Sequence, residues 1–128
     1  MTFIFDRCLS KQLVEGLRAF GETDIHYLDE LGFSQDAADT TWLKHAGENG
    51  ITVITKDKDV QRHRAEREAL KEHRVGAFVL VGKNQKKWDL IVQVIRNWTA
   101  IKDLAEKTPP PFIFKVRPRG ERIEPSRL

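Results

Sequence analysis

Short apolar runs alternate along this chain with stretches whose apolar residues recur every three or four positions. "TFIF" (2–5) is a four-residue run ending at Asp6, and Leu13, Val14, Leu17 and Phe20 then fall at helical spacing until Gly21 stops the pattern. "DIHYL" (24–28) reads as a second short strand. After the loop "GFSQD" (32–36), Trp42, Leu43 and Ala46 mark a second helix, and "ITVIT" (51–55) is a third strand. A highly charged segment from Gln61 to Arg74 predicts the next helix and "GAFVLVG" (76–82) the fourth strand. Ile91, Val94, Ile95, Trp98, Ile101 and Ala105 outline one face of a long helix that Pro109, Pro110 and Pro111 must end, because proline lacks the N–H a helix needs. "FIFKV" (112–116) is the last run. Strands separated by helices require crossover connections, so the expected fold class is α/β with a central, mostly parallel sheet and helices on both faces.

Composition narrows this picture. The 128 residues, 40% of them hydrophobic, suit a single domain over 1–128, with no repeat or low-complexity linker to divide it. "MTFIFD" lacks the basic start of a signal peptide, and the longest later apolar run, "AFVLV", is far too short to span a bilayer. A cytoplasmic protein without membrane contact is expected, and the single cysteine, Cys8, forms no internal disulfide. The net charge of +3 is concentrated at one end: Lys115 to Leu128 holds five of the 22 basic residues but two of the 19 acidic ones. From about 117 to 128 the chain reads as a basic tail suited to nucleic acid.

Candidate chemistry gathers at strand ends. In open parallel sheets, ligands bind beyond the carboxyl ends of the strands. Asp6 ends the first strand, and Asp57 and Asp59 follow the third, so neighbouring strands would bring three carboxylates together. Such a group repels itself unless a cation lies between, and a hard divalent ion, Mg2+ or Mn2+, fits oxygen donors best. The competing reading of each aspartate is structural: a turn former, or a helix cap such as Asp59 or Asp36 could provide. No Gly-x-Ser-x-Gly elbow, glycine-rich phosphate loop or zinc-spaced histidine pair occurs, and His26, His45, His63 and His73 are scattered.

The segments "FIFDRCLSKQLVEGLRAFG", "FSQDAADTTWLKHAGENGITVITKDKDV" and "QRHRAEREALKEHRVGAFVL" resemble PIN-like nuclease domains, in particular the compact group related to VapC-type toxins. The most specific element is an apolar strand ending Thr-x-Asp-x-Asp after a helix of the form Asp-x-x-Trp-Leu. The resemblance implies a three-layer α/β/α fold and a magnesium- or manganese-dependent ribonuclease, the toxin of a toxin–antitoxin pair, with RNA and a cognate antitoxin as expected partners; a homodimer is the further partner expected. It places the acids at Asp6, Asp39 (alternatively Asp36), Asp57 and Asp59, with Thr55 as the supporting hydroxyl. The chain departs from the pattern in having Arg7 and Cys8 after the first acid and aspartate, rather than glutamate, as the second. Lys56, Lys58, Arg62 and Arg64, with Arg67, are the expected phosphate contacts. Trp88 and Trp98 read as core or dimer contacts on the long helix. Two rivals stand beside this reading. One is a non-catalytic PIN-like module that binds RNA or protein. The other is a receiver-like phospho-acceptor domain, which would want an acidic pair where Asp6 is followed by Arg7.

Overall fold

Each apolar run becomes a strand, and alternate residues of each run point to opposite faces of one sheet. The computed structural model describes residues 1–33, 39–56, 64–119 and 122–128. In chain order the elements are β1 (Thr2–Phe5), α1 (Lys11–Ala19), β2 (Ile25–Tyr27), a 3-10 turn (Leu28–Leu31), α2 (Asp39–Glu48), β3 (Ile51–Thr55), α3 (Arg64–His73), β4 (Gly76–Leu80), α4 (Lys87–Lys107), β5 (Phe112–Val116) and β6 (Glu124–Ser126). The sheet order is β2-β1-β3-β4-β5-β6, with the first five strands parallel and β6 antiparallel to β5.

Two cores follow from the period of two. Phe3, Phe5, Ile54, Phe78, Leu80, Phe112 and Phe114 face α1 and α4, packing on Leu13, Val14, Leu17, Val94, Trp98 and Ile101. Ile4, Val53, Ala77, Val79 and Ile113 face the other way, onto Trp42, Leu43 and Ala46 of α2 and Ala69 and Leu70 of α3. This is the three-layer α/β/α arrangement expected from sequence. Gly47 lets α2 and α3 approach closely, since a Cβ there would lie 2.0 Å from the His73 carbonyl oxygen.

The structure corrects the sequence reading in three places. Ile95 is 53% exposed and Trp88 71%, so neither belongs to the core. On α4 the buried positions are Leu90, Val94, Trp98, Ile101 and Ala105 together with the polar Gln93 and Asn97. Ile95, about 100° around the helix from Val94, turns outward. Gln93 earns its interior place by hydrogen bonding: its amide N–H donates to the carbonyls of Val81 (2.9 Å) and Val116 (2.8 Å), bridging the ends of β4 and β5. Asn97 donates in turn to the Gln93 carbonyl at 2.8 Å. Second, a 3-10 turn follows β2 directly, taking Leu28 from the expected strand and residues 29–31, to which no element was assigned. Third, the segment read as a basic tail contains β6, with Lys115 opposite Glu124 and Ile113 opposite Ser126. Ile123 just before it is buried against the α4 side of the sheet. A charged stretch around one proline concealed a strand with only one apolar anchor.

Candidate active site at the carboxyl edge

β1 and β3 are neighbours, with Phe5 opposite Ile54. The Asp6 N–H donates to the Ile54 carbonyl at 3.0 Å, so the chain leaves the sheet with Asp6 beside Thr55. Thr55 is fully buried, and its hydroxyl donates to Asp6 Oδ2 at 2.8 Å. The Arg7 N–H donates to Asp6 Oδ1 at 2.7 Å. With a donor on each oxygen, the plane of this carboxylate is fixed at the mouth of the sheet. The Cys8 thiol closes the triangle, its sulfur 3.5 Å from Asp6 Oδ2 and 3.4 Å from Thr55 Oγ1. Burial first, and then the Asp6 charge, pushes this thiol up to about 11, so it stays protonated at neutral pH.

A further shell holds the loop after β1. The Arg7 guanidinium pairs with the Asp29 carboxylate and donates to the Phe33 carbonyl at 3.1 Å, while the Tyr27 hydroxyl donates to the Arg7 carbonyl at 3.0 Å. Burial, and after it the nearby negative charge of Asp29 and Asp6, raises the Tyr27 hydroxyl above its ordinary range. The 3-10 turn that carries Asp29 is itself fastened by Arg18, which donates to both Glu30 oxygens, at 3.0 and 2.8 Å, and to the Ile25 carbonyl at 2.8 Å. These Arg18 bonds, with the Tyr27 N–H as a further donor, hold the Glu30 carboxyl down at about 2.

Of the residues expected to form the site, Asp6, Thr55 and Lys56 come together at this edge. Asp39 opens α2, and Arg64 opens α3, where it lines a cleft of about 280 Å³ with Arg67, Glu68, Lys71 and Arg127. Asp36, Asp57, Lys58, Asp59, Arg62 and His63 lie outside the described residues. Among the described residues, no group of three His, Cys, Asp or Glu side chains could hold a metal ion. Of helices, none among the described residues is long and apolar enough to cross a membrane.

The sequence reading did not anticipate a cavity of about 320 Å³ beside this edge, lined by Cys8, Leu9, Ser10, Leu13, Lys56, Gln85, Lys87, Leu90 and Ile91. Its basic residues are Lys56, just after β3, and Lys87, the last of the run "KNQKK" (83–87) that follows β4 after Val81 and Gly82. The rule that ligands gather beyond strand carboxyl ends applied to β4 as much as to β1 and β3, and the charge run was the available signal.

A family model described as "PIN like domain" matches residues 1–82. No curated protein and no solved structure matches the chain.

Proposed function

The chain belongs to the PIN-like domain family and carries its nuclease-type fold, and from that premise we propose that it is a divalent-metal-dependent endoribonuclease acting by phosphodiester hydrolysis. The observation that carries the reading is the 2.8 Å hydrogen bond from Thr55 to Asp6. It joins the ends of two neighbouring strands, and Asp57 follows Thr55 by two residues, a length of chain that reaches at most about 7 Å. The Asp6 carboxylate, oriented by Arg7 N–H and Thr55 O–H, offers hard oxygen donors, which suit magnesium or manganese. Asp6, Asp57 and Asp59 would hold the ion, with Asp39 or Asp36 reaching it from the α2 side. When bound, the ion supplies a water of lowered pKa and neutralises charge on the phosphate oxygens.

The chain's own residues have separate tasks in this reading. Thr55 and the Arg7 backbone keep the Asp6 carboxylate in one plane. Cys8 packs its sulfur against Asp6 Oδ2 and Thr55 Oγ1. Lys56 at the rim attracts the phosphate, and Lys58, Arg62 and Arg64 are the further contacts proposed along the same segment. The likeness to VapC-type toxins extends the proposal to a toxin acting on RNA in the cytoplasm and held in check by an antitoxin.

The test is cleavage of a mixed RNA substrate with manganese by wild type, Asp6→Asn and Asp57→Asn, alongside melting curves in chelator and in manganese. We expect each substitution to reduce cleavage roughly a hundredfold or more. Manganese at a hundredfold excess over its dissociation constant should stabilise wild type by about 2.7 kcal/mol and each variant far less. Cleavage by the variants at the wild-type rate, or equal stabilisation of all three proteins, would assign the aspartates to turns and caps and leave a binding module.

A further inference from the structure

Beyond the cavity beside Asp6, the carboxyl edge continues along the first turn of α4. A second cleft, of about 480 Å³, shares Gln85 with the first and is bounded by Lys83, Trp88, Asp89, Val92, Arg96, Pro118 and Arg119. Trp88 stands 71% exposed in it, whereas Trp42 and Trp98 are 2% and 7% exposed. Packing explains those two tryptophans and not this one. Among the described residues lining the two clefts, Lys56, Lys83, Lys87 and Arg96 stand with one carboxylate, Asp89, which accepts the Lys86 N–H at 3.0 Å.

An open aromatic face set in a row of cations is the chemistry of single-stranded nucleic acid, in which a base stacks on the ring while phosphates follow the positive side chains. A duplex offers no such base, because its bases stack on one another. A second copy of the chain docked here through the same face would set like charges against like, which opposes association. We propose that Trp88 and the cations along these clefts form a track for single-stranded RNA, holding nucleotides next to the bond to be cut. The inference rests on the nuclease reading only for its statement that the bound strand is then cleaved.

Binding is measured with the full chain in chelator, by anisotropy of a short dye-labelled single-stranded RNA and by quenching of tryptophan fluorescence. We expect Trp88→Ala to weaken binding roughly fivefold to a hundredfold. Trp88→Phe should stay within about threefold of wild type, and Ile95→Ala, exposed on the same helix but outside both clefts, should match it. Lys83→Ala and Lys87→Ala should each flatten the salt dependence. Unchanged affinity in Trp88→Ala overturns the track, even if manganese-dependent cleavage persists. So does a wild-type dimer in sedimentation that Trp88→Ala splits without altering RNA affinity, which would make this face a protein interface. Conversely, Trp88-dependent binding with no cleavage on adding manganese supports the track and overturns the nuclease.

Discussion

A single hydroxyl carries much of the proposed site. Thr55 is fully buried and donates to Asp6 from the next strand, so Thr55→Val keeps the shape and removes the hydroxyl that serves Asp6 and touches the Cys8 sulfur. Leaving a carboxylate short of a partner costs about 1–3 kcal/mol. The expected outcome is a loss of that size in denaturant melts and a fall of at least about tenfold in manganese-dependent cleavage, with Thr55→Ser close to wild type in both. Equal behaviour of valine and serine variants would reduce Thr55 to a strand residue. The pair shows what the sequence could and could not tell. The family resemblance singled out Thr55 as the expected supporting hydroxyl, and it does donate to Asp6, but Arg7, read as a departure from the family pattern, gave no hint that its backbone N–H holds Asp6 while its guanidinium fastens Asp29. Backbone donors leave no trace in side-chain identity.

Among elements, α4 shows most clearly how periodicity succeeds and where it misleads. Trp98 packs 5.0 Å from the Phe3 ring and 5.8 Å from that of Phe5, and its indole N–H donates to Glu22 at 2.9 Å. Trp98→Ala should therefore cost about 3–5 kcal/mol, whereas Ile95→Ala, on the open side, should cost less than about 1 kcal/mol, both by denaturant titration. Sequence alone ranked the two alike, because Gln93 and Asn97 occupy interior positions that hydrophobicity cannot reveal. The joint between α1 and the 3-10 turn gives a pH-dependent counterpart. Glu30 is held at about 2 in the folded chain against an ordinary 4.5, so its contribution is present above about pH 4.5 and disappears as pH falls toward 2. Because the pair is partly exposed, with Arg18 and Glu30 side chains at 37% and 32%, about 1 kcal/mol is expected. Melting of Glu30→Gln beside wild type should show that gap at pH 7 and a shrinking gap through the acid range.

Over the whole molecule, the strand–helix alternation and the mostly parallel sheet were legible, because they rest on short apolar runs repeated along the chain, whereas the adjacency of β1 and β3 entered only as a condition on the acids meeting and comes from the structure. β6 was not, since Glu124–Ser126 offers a charge, a proline and a serine, and only pairing with β5 gives it a structure. That small strand alters what a truncation would do. Removing Arg117 to Leu128 to strip away positive charge would also unpair the outer side of "FIFKV", baring the N–H and C=O groups of a strand rich in phenylalanine. Shortened molecules would then find β5 partners in one another. We expect such a protein to scatter light and form sheet-rich aggregates as its concentration rises, while full-length protein with Arg117 and Arg119 changed to Gln stays dispersed. On that expectation the strand Glu124–Ser126 shields β5 from other copies, and Pro125 in it offers no amide hydrogen to a stranger.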